Sequence, residues 1–326
     1  METNGTGLEI GVLNIEPKRV IDLWFEDGNV VIEAEDYQFC VFKSFLTTRS
    51  PIFKDTFSIP QPEDAERING CPVLRIHDSA TDAAHFFSAI FNSETFLPAP
   101  CPTTFEKVAA ILRLATKYEV EYLRRRALDH LSSGYPTSLA QWREIEPPLA
   151  TFSVLPSDAL ATINLAREVD CPWVLPAAFY DYCKFTGPAE IFRGTMQDGV
   201  LLALSDADKQ LCLEAREAQR EASKDIENFL TAPTLDDCAG AVCLESRLDW
   251  MRYLTKLRQD GCWLDPTEVW DHWDLFAEHV CEPCLHACQK KYEDARLAVW
   301  ESIPGMFNLP SWVELEAERD VALKQV

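Results

Sequence analysis

Positive charge is scarce in this chain. Thirty Lys and Arg stand against fifty-three Asp and Glu, a formal net charge of −23 over 326 residues. A surface of that sign repels nucleic-acid phosphates and anionic lipid heads, so no nucleic acid and no membrane is expected as a partner. Missing too is any run approaching the ~20 apolar residues that a membrane-spanning helix requires. The opening residues, METNGTGLEIGVLNIEPK, lack the charged-then-apolar layout of a secretory signal. The expectation is an intracellular protein, cytoplasmic and/or nuclear, whose thiols stay reduced. The phosphate-cradling patterns G-x-x-x-x-G-K-[ST] and G-x-G-x-x-G are absent, as are H-E-x-x-H and G-x-S-x-G. Only six His occur, none beside an obvious Ser or Cys nucleophile, so the chain reads as a non-enzyme.

What is present is apolar: 47% of the residues are hydrophobic, enough for packed cores. The length allows two domains, or three small ones. Residues 1–17 are polar and read as a flexible tail. RVIDLWFEDGNVVIEAEDYQFCV, from Arg19, is rich in Val, Ile, Phe and Trp, and Asp27-Gly28 inside it is a type I′ turn signal, so a β-hairpin is expected there. A third strand fits VLRIH at 73–77. Between them Phe45, Leu46, Phe53 and Phe57 suit two short helices broken near Ser50-Pro51. Helical stretches follow at 82–92, 104–116 and 119–132, with Asp82 and Thr103 or Thr104 as N-caps.

Beyond residue 132 the character changes. SSGYPTSLAQWREIEPPL opens a linker over 133–156 with a short helix, and no strand is expected after it. Helices fit 157–170 and 171–184. Leu211, Ala215, Ala218, Ala222, Ile226 and Phe229 step by three and four along one helical stripe. Leu244, Leu248, Met251 and Leu254 define another. Asp265-Pro266 is expected to cap a third, with Val269, Trp273, Phe276 and Val280 on one face. Cys284, Cys288, Tyr292, Ala295, Val299 and Ile303 define a fourth. The fold class is therefore α+β: a small sheet with surrounding helices, then an all-α region over 157–326. The run Arg124–Arg126 spreads around a helix among Glu119, Glu121 and Asp129, which reads as a solvated face and not as a nucleic-acid patch.

The pattern F-x-V-F-K-x-x-L-x-x-x-S-x-x-F-x-x-x-F, from Phe39 to Phe57, resembles the core signature of the BTB/POZ domain. IDLWF before it is similar to that family's first strand, and LATKYEVEYLRRRALDHL to its closing helices. The resemblance covers residues 18–132, with Phe42 standing where the family usually has His. The ending Trp300, Pro304, Phe307, Leu309, Pro310 and Trp312 extends it to the BTB proteins of basidiomycete fungi, with their C-terminal helical, Cys-containing region. The resemblance implies a protein–protein interaction scaffold, commonly a homodimer, with Asp22 and Lys43 in a charged pocket at the dimer axis. It also allows a substrate adaptor of a cullin-type ubiquitin ligase. That role normally asks for a hydrophobic-x-Glu element after the helix ending near Phe57. Here SIPQPEDAE departs from it, with Gln61 two places after Ile59 and Glu63 following Gln61 and Pro62.

Twelve cysteines complete the inventory. Cys40, Cys71, Cys101, Cys171, Cys183 and Cys212 are scattered and read as buried apolar fillers. The other six lie between 238 and 288. Cys238-x4-Cys243 stands in a turn before a long helix, and Cys281-Glu-Pro-Cys284 opens another. Two such pairs can supply four thiolates to one structural zinc ion, and a helix start favours thiolates. The C-x-P-C pair is also the spelling of a thiol–disulfide motif, but a run of helical periodicity precedes it where such motifs follow a strand. The remaining reading is four thiols packed in a helical core. Cys288 continues the stripe to Tyr292 and is set aside as core. Cys262 is a lone loop cysteine, and His279 and His286 flank the second pair as less favoured ligands.

Overall fold

The computed structural model describes residues 17–60, 62, 64–143, 150–197, 199–231, 238 and 240–324. Most of the expected N-terminal tail, and Gln61 and Glu63, lie outside the described residues. The chain divides into two compact units, residues 1–97 with 110–124, and residues 98–109 with 125–326.

In the first unit, β1 (Lys18–Trp24), β2 (Val30–Ala34) and β3 (Tyr37–Val41) precede α1 (Lys43–Arg49) and α2 (Pro51–Ser58). Then come β4 (Arg67–Ile68), β5 (Cys71–Ile76) and α3 (Ala80–Phe91), with parts of α4 (Phe105–Lys117) and α5 (Glu121–Gly134) completing the unit. The five strands lie in the order β1-β3-β2-β5-β4. The hairpin expected at Asp27-Gly28 is not there. The antiparallel hairpin joins β2 to β3, Ala34 opposite Tyr37, and Glu35 turns the chain with φ of 49°. β1 instead runs parallel to β3.

Burial explains the exchange. β2 and β3 are covered along almost their whole lengths, while β1 is largely exposed and suits an edge. The Asp27-Gly28 segment must then cross the end of β3. Phe25 N–H donates to the Cys40 carbonyl and Asn29 N–H to that of Val41. Gly28 is required by proximity and not by φ: a Cβ there would meet Cys40 Sγ at 2.6 Å and the Cys40 carbonyl carbon at 3.0 Å.

Ser50 breaks the two short helices as expected. Its Oγ accepts from Phe53 N–H at 3.0 Å and donates to the Tyr118 carbonyl at 2.6 Å, with Pro51 in the first turn of α2. Phe53 stacks on Tyr118 with ring centroids 4.5 Å apart, while Phe45 stays outside. The cap of α3 is Ser79, not Asp82. Asp82 sits in the first turn, where its carboxylate pairs with Arg113 at 2.6 Å. Thr104 caps α4 through Lys107 N–H.

The second unit continues with α6 (Leu139–Arg143), α7 (Ala159–Glu168), α8 (Leu175–Phe185) and α9 (Pro188–Arg193). A two-stranded hairpin follows, β6 (Thr195–Gln197) with β7 (Val200–Leu202), so the region expected to be all-α contains one small sheet. Gly199, at φ of 79°, turns it. Then come α10 (Asp206–Ile226), α11 (Ala241–Gln259), α12 (Trp273–Ala277), α13 (Glu282–Met306) and α14 (Trp312–Leu323).

The stripes of α10 and α13 face inward as their periodicity requires. That of α11 is rotated at its start: Leu254 is buried as expected, but Leu244 and Leu248 are exposed, and Cys243 and Arg247 are buried instead. The helix expected from Asp265-Pro266 is confined to the five residues of α12, and Val269 is exposed. Polar contacts explain this. Arg296, fully buried on α13, takes the carbonyls of Pro266 (3.0 Å) and Thr267 (2.7 Å), which a helix would need for itself. Asp265 Oδ1 accepts from Thr267 N–H and from the Tyr180 hydroxyl.

The final aromatic motif is a packed joint. Trp300 and Trp312 stack at 5.0 Å, Trp312 Nε1 donates to the Trp300 carbonyl, and Phe307 stacks on Phe179. Arg124, Arg125 and Arg126 are half-buried, with Arg125 donating to the Lys324 carbonyl. Of the scattered cysteines, Cys71 and Cys101 are only half-buried. Among the described residues no helix is long and apolar enough to cross a membrane.

Two outcomes are expected. Gly28→Ala forces a Cβ into backbone, so urea unfolding should show a loss on the order of 1–3 kcal/mol. Asp181 has its carboxyl pushed up to about 7, chiefly by burial, with Lys184 opposing and Asp265 and Glu268 adding to the rise. The folded state therefore holds a proton that the unfolded chain releases near the ordinary value of 3.8. Between those two values stability falls as pH rises, and the penalty is complete above pH 7. Asp181→Asn should flatten that slope and add on the order of 1–2 kcal/mol at pH 8; an unchanged pH profile would contradict it.

Candidate metal centre

Four sulfurs meet in the second unit. Cys238, Cys243, Cys281 and Cys284 place their Sγ atoms all within 4.8 Å of one another, and Cys284 Sγ lies 3.2 Å from Cys238 Sγ. Among the described residues this is the group of His, Cys, Asp and Glu side chains that could hold a metal ion. Sulfurs bound to one zinc ion at about 2.3 Å in a tetrahedron stand about 3.8 Å apart, so the cluster has the dimensions of such a site.

The local folding that makes it is readable from the residues. Gly240, at φ of 90°, is the N-cap of α11, and Cys243 falls on the third residue of that helix. The glycine lets the chain reverse, which returns Cys238 toward the helix start. Cys281 is the N-cap of α13, Pro283 sits in its first turn, and Cys284 is its third residue. Two helix N-termini therefore point at one cluster, and their unpaired N–H groups favour negative sulfur. Two of these contacts are direct: Cys281 N–H donates to Cys243 Sγ at 3.2 Å, and Gly240 N–H to Cys238 Sγ at 3.4 Å.

Electrostatics point the same way. Burial first, and then the neighbouring thiols, push the Cys284 thiol well above its ordinary value; burial also pushes Cys243 up. Without a cation these two thiols resist ionisation. A divalent ion supplies the missing charge and releases protons as it binds. Sequence reasoning missed Arg247, which is buried one turn along α11 from Cys243. Its guanidinium draws the Cys288 thiol down against the upward push of burial. A cation set among apolar residues on a helix facing a cysteine cluster was the available signal.

No protein-family model matches the chain, and a search of curated proteins returns no match. Its site is therefore read from its own geometry.

Cys288 is fully buried among Tyr292, Phe276 and Leu254, as core packing requires, and Cys262 is exposed in the turn after α11. His279 and His286 are exposed, and His279 Nδ1 lies 2.9 Å from the Leu275 carbonyl oxygen. The residues ahead of Cys281 form α12 and a turn, not the buried strand that precedes a thioredoxin-like pair. In the first unit Asp22 and Lys43 are both exposed and form no ion pair with each other among the described residues. The Lys43 ammonium instead donates to the Phe57 carbonyl at 3.2 Å. Ile59 ends α2, and the adaptor element weighed at Gln61 and Glu63 falls outside the described residues.

Protein purified without chelators should carry one equivalent of metal per chain by elemental analysis. Cys284→Ser should bring that well below one and lower the melting temperature, whereas Cys262→Ser should change neither. Full metal content in Cys284→Ser would remove Cys284 from the site.

Proposed function

We propose that this protein is a non-catalytic protein–protein interaction scaffold. Residues 18–132 form a BTB/POZ domain that dimerises, and the helical region, 157–326, binds a partner and is held in shape by one structural zinc ion. The observation that carries the reading is the four-sulfur cluster. Its donor set is all thiolate, which suits zinc, and four protein ligands leave no position for a water or substrate. Such an ion fixes geometry and does not react. It would clamp the start of α11 to the start of α13, residues that are 38 or more positions apart in sequence.

The dimerising role rests on the sequence resemblance, on the order of elements in the first unit, and on the character of β1. Among the described residues that strand lies at the edge of the sheet with its outer side unpaired, and Ile21 on it is 85% exposed. Natural proteins protect such edges, and a second copy is one way to do so. Asp22, next to Ile21, and Lys43 would then face the two-fold axis. Covering both charges together would make the loss of either one costly.

Light scattering on the full chain should give twice the 37.0 kDa chain mass. Asp22→Asn should shift the mass toward the single chain or lower the melting temperature. A wild-type mass of one chain would refute the dimer, and an Asp22→Asn variant identical to wild type would remove Asp22 from its axis.

A further inference from the structure

The unexpected rotation of α11 leaves a second face of that helix uncovered. Val242, Glu245, Ser246, Asp249, Trp250 and Tyr253 are spaced as one helical stripe, and all of them line a groove of about 670 Å³. The opposite wall comes from the α12 segment: His272, Leu275 and His279. Val242 is 65% exposed, Leu275 52% and Tyr253 43%, although each is large and apolar. Trp250 forms the floor, half-buried, with its ring edge-on to Trp270 at 5.0 Å and to Tyr253 at 5.4 Å. Of these, Trp250 and Tyr253 are of the side-chain types that anchor protein interfaces.

Among the described residues the lining carries two carboxylates, Glu245 and Asp249, and no Lys or Arg. Asp249 reaches Arg252 at 2.6 Å on the same helix, but both side chains are more than 70% exposed, so the pair holds the carboxylate weakly. Exposed acids also flank the apolar wall residues in sequence, at Asp271, Asp274 and Glu278. A second copy presenting the same groove is a poor occupant, because its Glu245 and Asp249 would be pressed against like charges. The wall from Val242 to Tyr253 is about 16 Å long, about three helical turns. That length matches a short helix laid in a groove better than a compact small molecule.

We propose that this groove is the docking site for a basic amphipathic helix of a partner protein, with leucine-like side chains seated on Trp250, Val242 and Leu275 and with Lys or Arg opposite Glu245 and Asp249. This deepens the scaffold reading above and rests on it. The cluster ties the two walls at one end, because Val242 directly precedes Cys243 and His279 stands two residues before Cys281. Loss of the metal should therefore open the groove.

The test uses the full, zinc-loaded chain and a panel of synthetic helical peptides of about 14 residues. One set places Leu at helical spacing with Lys elsewhere; a matched set carries Glu in place of Lys. Calorimetry should give micromolar binding for at least one Lys peptide and none for the Glu peptides. Leu275→Asp is the deciding variant, since it removes an apolar contact while adding a negative charge. Docking in the groove requires about a tenfold or greater loss of affinity. Diffuse attraction to an acidic surface requires unchanged or tighter binding, and that result overturns the proposal. So does equal binding of the two peptide sets, or no binding by any Lys peptide. Leu275 is exposed, so the variant should melt as wild type does, and Tyr253→Ala serves as the second variant. Metal analysis of the same samples separates the two claims. One zinc per chain without peptide binding refutes the groove alone. Peptide binding without zinc refutes the structural ion and its hold on the groove, and leaves the docking site standing.

Discussion

Two helices, α11 and α13, begin at one cluster of four sulfurs, and that shared starting point is the constraint around which the C-terminal region is arranged. Helix starts carry unpaired N–H groups and a partial positive charge, which normally draw water or a capping side chain. Here neither start has a side-chain cap: Gly240 stands at the N-cap of α11 and Cys281 at that of α13, and the Cys281 N–H donates to Cys243 Sγ. Burial makes the ionisation of Cys243 and Cys284 costly. A divalent cation among the sulfurs would offset that cost, and the cluster has the dimensions to hold one.

Behind the cluster the packing is aromatic and its polar exceptions are specific. Phe229 meets Trp270, Trp273, Phe276 and Tyr292, mostly edge to face, at centroid distances from 5.0 to 6.3 Å. Into this layer α13 sends a fully buried arginine, Arg296, whose donors are used on two backbone carbonyls and on Glu293. The result is a turn at 265–268 where periodicity alone called for helix. That turn swings the following residues so that Trp270 and Phe276 go inward while Leu275 and Val269 are left outside. The exposed wall of the groove is thus a consequence of where one guanidinium found its acceptors.

Local signals were legible wherever one residue type had one physical use. Ser50-Pro51 broke α1 from α2, Gly240 opened α11, and the apolar stripes of α10 and α13 went to the core, because capping, φ preference and burial are decided within a few residues. The four clustered cysteines were legible for the same reason, as two pairs each at a helix start. What was not legible depended on distant partners. The Asp27-Gly28 turn looked like a hairpin because its two flanking runs are both strand-like. Only the greater burial of β3 decides that it, and not β1, pairs with β2. The rotation of α11 depended on Arg247 being acceptable in the interior, which its residue type alone argues against. The β6–β7 hairpin was missed because three-residue strands carry too little alternation to register.

The most direct measurement is X-ray absorption at the zinc edge on protein purified without chelators. The expected result is one zinc per chain with four sulfur neighbours at about 2.3 Å and no lighter atom in the first shell. A first shell containing nitrogen or oxygen would mean that a histidine or water replaces one of the four thiolates. An absence of zinc would leave four packed thiols, and the clamp between α11 and α13 would have to be sought in the aromatic core instead.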